Sequence, residues 1–423
     1  MINQCQTNSE SNTGEKKCET AINQKMKSFG ENSSVIRDIF EYGKKRKAEI
    51  GNDKVFDFSI GNPSVPCPSS VTESFLRLVS ESDPAELHGY TSASGDENAK
   101  KKIAQYMRSR YSADVSEDYI YMTCGAAASL AIALKSITEP GDEIIVFTPY
   151  FPEYRVFIEG LSAMVVEVPV RTEDFQIDFD ALEDAFSEKT KALIINSPNN
   201  PTGAVLTEET LVELNSFLKK RCDRAIFVIS DEPYRDLVYD KDIPLPMNHI
   251  ENTIVCYSYS KSLSLPGERI GYIMLGNKVK SKESLFAAIC GSGRSLGYVC
   301  APALMQKVIA ENQGITSDIS IYKENRGILY NALTEYGFEA VYPDGAFYLF
   351  LKSPEPDAKS FCERAKKFEI LMVPSDSFGI ESYVRISYCV NKDQIENSLS
   401  AFRKLAESYK LFRKDEPPRG KLK

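Results

Sequence analysis

The sequence predicts an α/β protein in which a large domain on a mostly parallel, seven-stranded sheet is followed by a smaller α+β domain. Between residues 119 and 275, seven short apolar runs (IYMT, EIIVF, MVVEV, ALIIN, AIFVIS, TIVCY and IGYIML) alternate with helical stretches. Near-continuous Val/Ile runs separated by helices mark strands buried on both faces. After about residue 315 the pattern becomes a long helix, a hairpin-like FEAVYPDGAFYLFLK, another helix, the strand YVRISY and a last helix. The 423 residues suit more than one core, since a single core stops growing at roughly 250–300 residues.

Taken in chain order, residues 1–28 are dominated by Asn, Gln, Ser, Thr, Glu and Lys, too polar to bury a core, and predict a mobile arm. A helix follows over 33–50, with Ser33 or Ser34 as its cap, Val35, Ile36, Ile39 and Phe40 on one face, and Gly51 as its stop. DFSIGNPSVPCP (57–68) concentrates Gly and Pro and predicts a loop after a short strand. Another helix starts at a cap on Asp96 and runs to Arg110. The expected division is 61–309 for the large domain and 29–60 with 310–423 for the small one.

Composition excludes several classes of function. A formal net charge of −9 argues against a nucleic-acid surface, and the basic clusters at 44–47 and from 410 onward read as solvated ends. Ten cysteines without a C-x-x-C pair predict reduced thiols in a cytoplasmic protein. Two histidines and no Cys/His cluster predict no metal site. No apolar run approaches the ~18 residues of a membrane span, and residues 1–28 are not signal-like, so no membrane partner is expected.

Ligands of such sheets bind at the carboxyl ends of the strands, and four polar motifs follow strand candidates. TCGAAAS (123–129) is a small-residue turn opening a helix, which lets backbone N–H groups and the helix dipole meet an anion, although alanine-rich turns also serve tight packing. SPNNPTG (197–203) gives a rigid loop with amide donors. SDEPY (230–234) leaves a carboxylate at a strand mouth, as a helix cap or as the partner of a cationic ring nitrogen. SYSKSLSLPGERIGY (258–272) supplies a lysine and an arginine. A lysine beside an anion cradle and opposite a carboxylate can hold an aldehyde cofactor as a Schiff base, with the phosphate anchored and the ring protonated. Pyridoxal 5'-phosphate fits that description.

In this order the four motifs resemble those of class I/II aminotransferases of fold type I, the aspartate aminotransferase group, over residues 33–406. The resemblance implies that Lys261 is the Schiff-base lysine and proton carrier, that Asp231 pairs with the ring nitrogen, and that Tyr234 and Asn200 bind the ring's 3'-oxygen. It implies a phosphate site made by Gly125, Ala126, Ala127, Ser258, Ser260 and Arg269, and ring stacking by Phe151, with Tyr150 as the competing choice. Tyr90 then reaches the phosphate of the neighbouring subunit of a homodimer, Arg385 binds the substrate α-carboxylate, and Gly61 lies near it. Substrates are an amino acid and a 2-oxo acid, and Arg294 is the first candidate for a distal substrate carboxylate. The phosphate turn has Ala126 and Ala127 where the family commonly has glycine or lysine. Two alternatives stay open: a lyase or decarboxylase on the same scaffold, because cofactor anchors do not choose which Cα bond breaks, and an amino-acid-sensing regulator, against which residues 1–32 are too short and polar for a DNA-binding segment.

Overall fold

The seven apolar runs fold as the seven strands of one sheet. A computed structural model of the protein describes residues 22–31, 35–221 and 225–411. These fall into two units, one ending at Ser33 and one beginning at Ser34. In the first, Gln24–Glu31 is a helix with no buried residue. The expected arm is therefore helical over its last described residues; residues 1–21, and the caps Ser33 and Ser34 expected for the next helix, lie outside the described residues.

In the second unit a helix spans Val35–Ile50, and strand β1 (Phe56–Asp57) follows it. The large sheet contains β2 (Val115–Thr123), β3 (Glu143–Thr148), β4 (Met164–Pro169), β5 (Thr190–Asn196), β6 (Phe227–Asp231), β7 (Thr253–Ser258) and β8 (Gly271–Gly276). Their order is β2-β8-β7-β6-β5-β3-β4. Strands β3 to β7 are mutually parallel, whereas β8 runs antiparallel to both of its neighbours. Every residue of β7 and β8 is buried, as covering helices on both faces require. The helix Glu97–Tyr111 starts where expected, with Asp96 accepting from the Ala99 N–H and compensating one orphan donor of its first turn.

The remaining strands are β9 (Tyr348–Lys352), β10 (Ile370–Leu371), β11 (Val373–Pro374) and β12 (Tyr383–Ser387). Sheet β11-β12-β9 is antiparallel, and β1 pairs with β10 in parallel. The expected hairpin is reduced: only Ala340 bridges to Leu351, because Pro343 cannot donate to a ladder and the chain turns at Gly345 to bridge Val238 instead. Helices Ser320–Glu335, Ala358–Lys366 and Lys392–Ser408 cover this region, and Phe58, Phe347, Phe361 and Phe402 fill its core.

Candidate active site

The reversed direction of β8 gathers the functional groups. Its first residue, Gly271, pairs with Thr123 at the end of β2 and with Ser258 at the end of β7, so Arg269 arrives at the same edge as the carboxyl ends of β2, β5, β6 and β7. Gly271 is needed for this approach, since a Cβ there meets the Tyr257 carbonyl oxygen at 2.2 Å.

Along this edge lies a cavity of about 310 Å³. Gly61, Ala126, Ala127, Phe151, Asn200, Asp231, Tyr234, Ser258, Ser260, Lys261, Arg269 and Arg385 all line it. Gly125 stands behind Arg269, with φ of 86° and only 2.8 Å between the position of an added Cβ and Arg269 Nη2. Tyr90 does not line the cavity and is 92 % exposed. Arg294, exposed near the end of the helix Lys282–Ser295, does not line it either. Phe151 lines the cavity while Tyr150 turns away, its hydroxyl donating to Glu167 at 2.6 Å.

Lys261 sits on the short helix Tyr259–Ser262, and its Nζ donates to the Gly61 carbonyl at 2.6 Å. Burial, reinforced by the Arg385 and Arg269 cations, lowers its pKa to about 8. Asp231 closes β6; its Oδ2 accepts from the Tyr154 hydroxyl at 2.6 Å, and its Oδ1 is buried without a partner among the described residues. Burial pushes this carboxyl up to about 7, against the Tyr154 hydrogen bond, which lowers it. The Tyr234 hydroxyl meets the Tyr348 hydroxyl at 2.8 Å. Arg385, 2 % exposed, donates to Asn200 Oδ1 at 3.0 Å and to the Ser59 carbonyl at 2.6 Å, while its Nε has no partner among the described residues. Arg269 Nη1 donates to the Pro266 carbonyl at 2.9 Å and lies 3.5 Å from Ser260 Oγ, which in turn contacts Ser258 Oγ at 2.8 Å.

The family model described as "Aminotransferase class I and II" matches residues 53–402. The chain belongs to the class I and II aminotransferases. This aminotransferase is 32% identical to the aspartate aminotransferase of Thermotoga maritima over 86% of its own length and 95% of the relative's. A crystal structure of an aspartate aminotransferase from the same organism superimposes with a TM-score of 0.81 at 27% identity, covering 90% of this chain and 99% of that one. An aminotransferase structure from Eubacterium rectale superimposes with a TM-score of 0.90 at 50% identity, covering 92% and 99%. The fold is thus the fold type I of aspartate aminotransferases, a family that uses pyridoxal 5'-phosphate.

The residues of the aminotransferase fit that group. The Asp231 Oδ1, buried without a partner among the described residues, suits a cationic ring nitrogen. The helix Ala126–Ile137 has Gly125 at its N-cap and no side-chain cap, which leaves its first N–H groups to meet an anion beside Arg269. Sequence reasoning missed three polar groups of the site. Tyr154 reaches Asp231, Tyr348 reaches Tyr234, and Asn196 ties the two strand ends, its Nδ2 donating to the Asp231 carbonyl at 2.8 Å and its Oδ1 accepting from the Asn200 N–H at 2.7 Å. The tyrosines stand in TPYFPEY and DGAFYLF without a motif of their own, whereas an asparagine ending a buried strand was a readable signal.

Gly61 links the loop to Tyr348: an added Cβ falls 2.1 Å from the Tyr348 hydroxyl. Gly61→Ala is therefore expected to displace Tyr348 and, through it, the Tyr234 hydroxyl, and to destabilise the fold by about 1–3 kcal/mol. Thermal unfolding of the purified variant checks this, and an unchanged midpoint with unchanged turnover refutes it.

Proposed function

We propose that this aminotransferase holds pyridoxal 5'-phosphate at Lys261 and moves an amino group between an L-amino acid and a 2-oxo acid in two half-reactions. The observation that carries the proposal is the meeting of Lys261, Asp231 with its unpartnered Oδ1, and Arg385 on one cavity. When bound, the cofactor supplies an electron-withdrawing ring that weakens the bonds at a substrate's Cα.

Each residue then has a task. Ala126 and Ala127 offer backbone N–H groups to the phosphate, with Gly125 allowing the turn, and Ser258, Ser260 and Arg269 complete the cradle. Asp231 balances a positive ring nitrogen, Phe151 stacks against the ring, and Tyr234 and Asn200 donate to the ring oxygen. Asn200 Oδ1 is occupied by Arg385, so its amide nitrogen is the atom suited to donation. Arg385 binds the α-carboxylate, and its Nε, buried without a partner among the described residues, is the donor kept for it. Gly61 accepts from the Lys261 amine and holds it near the reacting carbon. With its pKa lowered to about 8, Lys261 carries a sizeable neutral fraction near neutral pH and can take a proton from Cα and return it on the other side of the amino transfer.

Tyr90 serves the partner's phosphate in a homodimer; its 92 % exposure and its place outside the lining of this chain's cavity support that role. A panel of amino acids offered with 2-oxoglutarate tests the function: at least one donor is expected to yield glutamate and its 2-oxo acid with first-order dependence on enzyme. Release of ammonia or carbon dioxide with every donor, and no amino transfer, overturns it in favour of a lyase.

A further inference from the structure

The group that fixes Asp231 comes from outside every motif. Tyr154 lies in the first turn of the helix Glu153–Gly160 and is 2 % exposed. Its ring is stacked on Tyr150, with centroids 6.4 Å apart and planes at 13°, and meets Phe151 edge-on at 5.7 Å and 86°. Tyr150 is anchored in turn by its hydroxyl on Glu167 and by its N–H on the Phe378 carbonyl. The Tyr154 hydroxyl is therefore held by packing at a fixed point, and from there it donates to Asp231 Oδ2 at 2.6 Å. The Asp231 main chain is tied separately, its carbonyl accepting from Asn196. Of the whole carboxyl group only Oδ1 is left without a partner among the described residues.

Resting on the proposed cofactor, we propose that Tyr154 is a positioning residue of the amino-transfer reaction: its hydroxyl occupies Asp231 Oδ2, favours the charged form of the carboxylate, and leaves Oδ1 as the oxygen turned toward a cationic ring nitrogen. A buried carboxylate with no donor has two ways to avoid the cost of its charge, rotation toward another donor or protonation. One charge-assisted hydrogen bond opposes both. The other ionisable groups facing Asp231 are Glu232, next along the chain, Tyr234 beyond it, and Cys256 on β7. Glu232 is engaged by Arg235 at 2.9 Å, the Tyr234 hydroxyl is engaged by the Tyr348 hydroxyl at 2.8 Å, and the Cys256 thiol, held protonated by burial, is only a weak donor, so none of these replaces Tyr154. Burial also holds the Tyr154 phenol itself well above its ordinary range, so it remains a donor throughout the working pH range. By touching Phe151 with the same ring, Tyr154 couples the carboxylate at one side of the site to the aromatic wall at another.

The test is the pH dependence of pyridoxamine 5'-phosphate binding to the cofactor-free full-length protein, followed by equilibrium dialysis; this probe forms no bond to Lys261. Binding of a cationic ring nitrogen favours the ionised carboxylate, so affinity falls as pH drops below the pKa of Asp231 in the free protein, about 7. Tyr154→Phe keeps the ring contacts and removes the donor, which raises that pKa. The acidic limb is expected to move up by about one to two pH units, with affinity close to wild type above it. Tyr154→His, which returns an N–H donor, is expected to keep the limb near that of the wild type, and it decides the matter alone if Tyr154→Phe does not fold. An unmoved limb in Tyr154→Phe, an affinity loss equal at every pH, or a limb in Tyr154→His displaced upward by more than about one unit overturns the role of Tyr154. A wild type that binds no probe at any pH overturns the cofactor site itself, and this proposal with it.

Discussion

Lys261→Ala is expected to abolish the visible absorption that the wild-type protein shows with pyridoxal 5'-phosphate and to lower amino transfer by about 10²–10⁴-fold or more, the contribution of a positioned proton carrier. The reasoning starts from burial. An ammonium in this cavity is costly, and the Arg385 and Arg269 cations add to the cost, so the amine titrates near 8 rather than in the ordinary lysine range. A lysine with a lowered folded-state pKa weakens the fold at every pH below its unfolded value, and the penalty is complete once pH falls below the folded value. At pH 7 it amounts to roughly 3 kcal/mol, part of which the alkyl chain repays through its contacts, including the Phe347 ring 5.4 Å from Nζ. Cofactor-free Lys261→Ala should therefore match or exceed the wild type in thermal stability while losing both band and turnover. Absorbance spectra, steady-state kinetics and unfolding curves on the same preparations read all three quantities. Persistence of the band in a folded variant refutes the role given to this amine.

How far the sequence speaks depends on how local the controlling interaction is. Strands buried on both faces carry their signature in consecutive residues, and Leu193, Ile194 and Ile195 in β5 needed no partner to be read as core. The same rule read MVVEV as interior, yet β4 is the edge strand of the sheet and is largely half-exposed or exposed. An apolar run therefore signals strand more firmly than it signals burial. The hairpin around Pro343 shrank to a single bridge for a tertiary reason, because Gly345 pairs with Val238 on a distant segment. In the site, Lys261, Asp231 and Asn200 follow strands directly and lie in short motifs, so order and spacing exposed them. Tyr154 and Tyr348 act on residues 77 and 114 positions away, and only the folded chain brings those hydroxyls to Asp231 and Tyr234. Neither tyrosine differs in local context from the many that serve only as core, which is why pattern reading passed over both.

Arg385→Ala should lower kcat/KM for the amino acid and for the 2-oxo acid together, by about two to three orders of magnitude, because both share the α-carboxylate and removing one partner of a buried charge contact costs about 2–5 kcal/mol. The effect should appear chiefly in KM, since the carboxylate is bound in the ground state as well as in the transition state. Arg385→Lys should recover little. The guanidinium is shared among Asn200 Oδ1, the Ser59 carbonyl and the bound carboxylate, and it lies 4.7 Å from the Tyr348 ring centroid and 5.2 Å from that of Phe378. A lysine ammonium offers neither the planar fork nor the two-faced stacking. Truncation also leaves Asn200 Oδ1 and the Ser59 carbonyl buried without their donor, so a loss of stability is expected as well, about 1–3 kcal/mol for each unpaired group. The visible cofactor band should persist, because Lys261, Asp231 and the phosphate cradle are untouched, and this separates a substrate-binding defect from a cofactor defect. A variant that keeps the band and shows an unchanged KM for both substrates removes Arg385 from the substrate site and forces the search for the carboxylate's partner onto Arg269, the other arginine among the described residues that line the cavity.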